Sequence, residues 1–150
     1  MTGFIFLIAV GAIIALYFLG ARKKVAEKPI QFRGPHDCGM RALQVVLPHL
    51  SAEKIENAFM NCADKWPRGG VTNVEFNVAL RFMGLFDQFE YNDADGQKLG
   101  DFLDDEDSAT ILLIHGHFTT VKEGKIIDMS FVPGAAQQKV YCSWRLTSQL

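Results

Sequence analysis

The chain has 150 residues and a net charge of −2, with 49% hydrophobic and 21% charged residues. That length and composition describe one ordinary globular domain with its own core, and exclude extended disorder, a collagen-like chain and a coiled coil. A mean hydropathy of +0.08 hides an uneven distribution along the chain.

Residues 3–20 read GFIFLIAVGAIIALYFLG, 18 uncharged residues of which 15 are apolar and three are Gly. As a helix this run covers roughly 27 Å, close to the hydrocarbon thickness of a bilayer. Met1-Thr2-Gly3 carries no basic side chain, and Phe18-Leu19-Gly20-Ala21-Arg22 is a poor cleavage site. The expectation is therefore an uncleaved single-pass transmembrane anchor rather than a signal peptide. Arg22, Lys23, Lys24 and Lys28 follow it, against Glu27 alone. The positive-inside rule then places the C-terminal domain on the cytoplasmic side, with the basic cluster near lipid headgroups. The expected organisation is an anchor and basic flank over 1–24 and one domain over 25–150. A polytopic membrane protein is excluded.

After a polar linker over 21–30, the spacing of Cys38, Ala42, Leu43, Val45, Val46 and Leu47 predicts a helix that Pro48 ends. A second helix is predicted over Ala52–Cys62 behind Ser51 as N-cap. Lys65 to Gly70 reads as a loop. Thr72-Asn73-Val74-Glu75 forms a capping box, and Phe76, Ala79, Leu80 and Met83 continue a third helix to Gly84. Phe86, Phe89 and Tyr91 suggest a strand, and Gly96–Leu103 a short helix. Ala109–Ile114 is expected as a buried strand. His117–Lys122 and Lys125–Phe131 are expected to pair around Glu123-Gly124, a two-residue turn. Lys139–Leu146 is a last strand with Val140, Cys142 and Trp144 on one face. Helices first and strands after predict an α+β fold, not repeated βαβ units.

Acid is concentrated between Asp87 and Asp107, with nine Asp or Glu and one Lys, Lys98. With no basic stripe outside the juxtamembrane cluster, nucleic-acid binding is not expected. The acidic stretch reads as a solvated face. Cys38, Cys62 and Cys142 make an odd count with no metal-ligand spacing, so reduced thiols are expected and neither a metal nor a cofactor is.

Cys38 follows Pro35-His36-Asp37 at the predicted start of a helix. There the macrodipole and free N–H groups would stabilise a thiolate and lower the thiol pKa. A Cys nucleophile also needs a base and an orienting group. With Glu123-Gly124 as the turn, Lys122 pairs with Lys125, Val121 with Ile126, Thr120 with Ile127 and Thr119 with Asp128. His117 and Asp128 then become diagonal neighbours. His115 would lie on the same strand face but further from Asp128, which makes it the rival base and more naturally a rim residue. His36 and His49 read as surface residues, Trp66 and Trp144 as packing residues.

Asp37-Cys38-Gly39-Met40-Arg41-Ala42-Leu43 resembles the D-C-G-x-x-x-L start of the catalytic helix in papain-like cysteine peptidases, most nearly the bacteriocin-processing peptidases that remove double-glycine leaders. Gly70-Val71-Thr72 with Ala79-Leu80-Arg81-Phe82-Met83-Gly84-Leu85 resembles their second conserved helix. Gly116-His117-Phe118-Thr119-Thr120-Val121 and Ile127-Asp128-Met129 resemble two of their strands, with Met129 where Pro is usual. The match spans about 31–131, in order. It implies a papain-like fold of N-terminal helices packed on a C-terminal antiparallel sheet. It also implies Cys38 as nucleophile, His117 as general base and then acid, and Asp128 as orienter. Gln31 would help form the oxyanion hole, although it lies seven residues before Cys38 where six is usual. Josephin-type deubiquitinases share the layout at the level of fold only.

The expected function is thus hydrolysis of a peptide bond in a peptide or protein held near the membrane. A second expectation is a non-catalytic, anchored papain-like subunit, for instance of a virion or membrane assembly. A third is a cell-wall amidase or endopeptidase, which the predicted orientation disfavours.

Overall fold

The computed structural model describes residues 36–63, 70–127 and 134–147. The expected anchor over 3–20, Gln31, Trp66 and Asp128 lie outside them. The chain's contacts separate 32–150 from 1–31, and every described residue belongs to the former unit. Among the described residues no helix is long and apolar enough to cross a membrane.

Among the described residues three α-helices precede a five-stranded antiparallel sheet. Helix α1 spans Cys38–Val46, α2 Ala52–Cys62 and α3 Asn73–Phe82. The strands are β1 Phe89–Asp93, β2 Ala109–Ile114, β3 His117–Lys122, β4 Lys125–Ile127 and β5 Val140–Leu146. Their order is β1-β5-β2-β3-β4, with every neighbour antiparallel. The architecture is α+β.

Local chemistry sets the helix limits. Ser51 Oγ accepts the Lys54 N–H at the start of α2. Thr72 Oγ1 accepts the Glu75 N–H while the Glu75 carboxylate accepts the Thr72 N–H, a reciprocal capping box opening α3. Helix α1 stops at Val46 because Pro48 cannot continue it.

The sheet buries both faces. On the front, the helices cover Phe89, Ile111, Phe118, Cys142 and Trp144 with Met40, Leu43, Phe59, Phe76 and Leu80. An aromatic chain runs through this layer: the Phe76 ring lies 5.7 Å from Phe59, 4.8 Å from Phe118 and 4.9 Å from Trp144. On the back, Leu112, Ile114, Val121 and Val140 pack with Ala94 and Leu99.

Three details differ from the sequence reading. Phe86 belongs to a short 3₁₀ turn, Phe86–Gln88, ahead of β1. Within 96–103 only a 3₁₀ turn, Leu99–Phe102, forms; Leu99 and Phe102 serve to cover the back of the sheet. Val140 does not share a face with Cys142 and Trp144. Ile114 pairs with Val140 and Leu113 with Cys142, so Tyr141 is an extra residue in a bulge that turns Val140 to the back.

Candidate active site

The β3–β4 hairpin has the expected register, with Lys122 opposite Lys125, Val121 opposite Ile126 and Thr120 opposite Ile127. Glu123 and Gly124 form the turn with φ of 52° and 67°. The Thr119 hydroxyl donates to the Ile127 carbonyl at 3.2 Å. The pairing of Thr119 with Asp128 falls beyond the last described residue of β4.

A second tight turn joins β2 to β3. Ile114 pairs with His117, which leaves His115 and Gly116 as turn residues with φ of 20° and 74°. His115 is therefore not on the strand face beside His117, as the sequence suggested; it is an exposed residue at the tip of the hairpin. Its left-handed backbone is uncommon for a side chain larger than Asn, although His tolerates it better than most.

Helix α1 lays its first turn against the start of β3. A Cβ built on Gly39 would lie 3.4 Å from Phe118 Cδ2 and 3.5 Å from Phe76 Cδ2. The absent side chain allows this approach. Further along, the Thr120 hydroxyl donates to the Ala42 carbonyl at 3.3 Å and ties the helix to the strand. The backbone amides of Phe118, the residue after His117, and of Gly39 lie near the half-buried Cys38 thiol and favour its thiolate. The start of α1, which carries Cys38, and the opening of β3 thus come together. Phe118 and Thr120 face the helices, while half-buried His117 belongs to the alternate row with Thr119 and Val121. No hydrogen bond joins the Cys38 thiol to the His117 ring.

The thiol is not the low-pKa group expected from the helix dipole. Burial pushes the Cys38 pKa up from its ordinary value, and the nearby Asp37 carboxylate adds to the rise. The Phe118 and Gly39 N–H groups act in the opposite direction without overcoming burial. Asp37 is only 7% exposed. It stands at the N-cap position, yet its side chain caps no N–H; instead Arg41 Nε donates to Asp37 Oδ2 at 2.8 Å. The sequence reading passed over this pair, although its i,i+4 spacing was there to be seen.

Cys142 sits in a second polar group that sequence reasoning missed. Its sulfur lies 3.6 Å from Asn73 Nδ2 and 3.5 Å from the Tyr91 hydroxyl, which donates to Asp93 Oδ1 at 2.8 Å. The side chains come from α3, β1 and β5, so no local spacing pointed to them. His36 and His49 are exposed, and all three cysteines are free.

Among the described residues no group of three or more His, Cys, Asp or Glu could hold a metal ion. A cleft of about 490 Å³ opens between the end of α1 and the β3–β4 turn, lined by Leu47, His49, Glu106, Lys122 and Glu123 among others. It lies at the opposite end of β3 from His117 and includes neither candidate catalytic residue.

Comparisons with protein-family models, with curated proteins and with solved structures find no match for this chain.

Proposed function

We propose that the chain is a membrane-anchored, papain-like cysteine peptidase, with Cys38 as nucleophile, His117 as general base and Asp128 as its orienter. The observation that carries this reading is the packing of the first turn of α1 on Phe118, which sets the half-buried Cys38 thiol beside the backbone amide of the residue that follows His117. The ordered resemblance over 31–131 adds to it, as does the antiparallel hairpin register up to Ile127.

The chemistry follows from the buried thiol. A thiol whose pKa is raised holds little standing thiolate, so His117 removes its proton as the sulfur attacks the substrate carbonyl. Backbone N–H groups at the start of α1 receive the developing oxyanion, a role in which the resemblance also implies Gln31. His117 then protonates the leaving amine, and water hydrolyses the thioester. Water is the only other reactant: His117 takes its proton as the C–O bond forms, and returns it to the Cys38 sulfur as the C–S bond breaks. The anchor over 3–20 keeps the site near the bilayer on the cytoplasmic side, where a peptide or protein substrate would be met.

The test uses the full chain in bilayer nanodiscs with a mixed peptide library, read by mass spectrometry. Cleavage that disappears in Cys38→Ala and in His117→Ala supports the reading. Cleavage that persists in Cys38→Ala, or no cleavage together with full biological function of Cys38→Ala, overturns it. The second outcome would establish the non-catalytic anchored subunit, a reading favoured by the raised thiol pKa and the missing Cys38–His117 hydrogen bond.

A further inference from the structure

The first turn of α1 has an uncommon division of labour. Asp37 begins the helix through its backbone, since its carbonyl accepts the Arg41 N–H at 2.9 Å. An Asp at this position ordinarily also turns its carboxylate onto the free N–H groups of the first turn. Here the carboxylate makes no such bond, and Arg41 Nε holds it at 2.8 Å. The Gly39 amide, left uncapped by the carboxylate, favours the Cys38 thiolate.

We infer that Arg41 is a positioning residue for Cys38: by holding the Asp37 carboxylate it leaves the first-turn N–H groups to the sulfur and offsets the carboxylate's charge. Two physical effects follow from one contact. A carboxylate released from Arg41 would compete with sulfur for the same donors. It would also stand unneutralised beside a group that must become an anion, in a partly buried setting where charges are weakly screened. The pair is i,i+4 with Arg41 about half exposed and the Asp37 side chain nearly covered. Its weight as a surface salt bridge would be small; its weight on the neighbouring sulfur is what the arrangement adds.

Among the described residues the other titratable groups around the thiol are few. His36 precedes the helix, and His117 and His115 come from the β2–β3 hairpin. On α3, which approaches through Phe76, Glu75 is engaged in the Thr72 capping box. Of these, Asp37 alone raises the Cys38 pKa by its charge, after burial. The inference deepens the peptidase reading in its consequence for turnover, while the electrostatic effect concerns Cys38 whether or not the chain cleaves anything.

The experiment measures the rate of iodoacetamide alkylation of Cys38 against pH in the full chain in nanodiscs, with Cys62 of the same molecules as internal reference. In Arg41→Gln the midpoint for Cys38 is expected to rise by about one pH unit, and its rate at pH 7 to fall about tenfold. The Cys62 profile stays in place. Asp37→Asn alone lowers the Cys38 midpoint, and the double variant Asp37→Asn/Arg41→Gln returns it to the wild-type value or below. An unchanged Cys38 midpoint in Arg41→Gln overturns the inference, as does a rise that the double variant retains. If Arg41→Gln does not fold, Asp37→Asn decides: an unchanged or higher midpoint overturns the inference. Peptide cleavage with an unmoved alkylation midpoint would keep the peptidase and discard the role of Arg41. A moved midpoint without cleavage would do the reverse.

Discussion

Gly39 is held to a small side chain by two rings. A methyl group there would meet Phe118 and Phe76 at 3.4 and 3.5 Å, which is ordinary contact. Gly39→Ala should therefore fold, whereas Gly39→Leu should lose about 1–3 kcal/mol through overpacking, measured by thermal unfolding of the two variants side by side. The base has its own signature. His117→Ala is expected to lower turnover about 10²–10⁴-fold with a smaller change in KM, read on whichever peptide the wild-type chain cleaves. A change confined to KM would remove His117 from the proton transfers. At this scale the sequence was informative about identity and weak about environment. Cys38 and His117 were singled out by type and spacing. The rise in the Cys38 pKa was not foreseen, because it comes from burial against β3, which adjacent residues do not report.

Helix and hairpin limits were the best-read features of the chain. The Ser51 cap, the Thr72–Glu75 box and the Glu123-Gly124 turn each occupy a few consecutive residues, and each forms as its residues dictate. Thr72→Ala removes the acceptor for the Glu75 N–H and should cost about 1 kcal/mol, seen as a lower melting temperature. A loss within the noise of a control such as Glu53→Ala would mean that tertiary packing alone holds the start of α3. The misreadings are also local in origin. His115 was placed on a strand because the alternation of His115 and His117 looks continuous, but the positive φ of His115 and Gly116 makes them a turn. Val140 was placed with Cys142 and Trp144 by the period of two, which the bulge at Tyr141 breaks. A bulge answers to the partner strand, so one strand's sequence does not announce it.

Across the whole molecule, proton binding and packing set the stability. The Tyr91 hydroxyl is held protonated above its ordinary 10.0, first by its hydrogen bond with Cys142, then by burial and by Asp93. Burial raises the Cys38 and Cys62 pKa values above 9.0 in the same sense. In the unfolded chain these groups lose their protons first, so stability is intact below about pH 9 and falls as pH rises through their folded-state values. Thermal unfolding from pH 8 to 11 should show this decline, and Tyr91→Phe should make it shallower above pH 10. An equally steep decline in Tyr91→Phe would assign the effect elsewhere. The front layer depends on Trp144, which is fully buried and donates from Nε1 to Asn77 Oδ1 at 2.6 Å. Trp144→Ala should cost about 3–5 kcal/mol by denaturant unfolding, enough to unfold a marginal domain.

The sequence by itself determined the order of the helices and strands, the caps of α2 and α3, the Glu123-Gly124 turn with its hairpin register, and the residue types fit for thiol chemistry. All of these depend on neighbours within a few positions, where backbone geometry and side-chain period are sufficient. The tertiary structure alone decided which strands lie side by side, with β5 inserted between β1 and β2. It also decided that the start of α1 packs on Phe118, that burial raises the thiol pKa, and that Arg41 holds the Asp37 carboxylate. Those outcomes are set by packing between segments distant in sequence and by competition among partners for the same hydrogen bonds, and neither is written in local spacing.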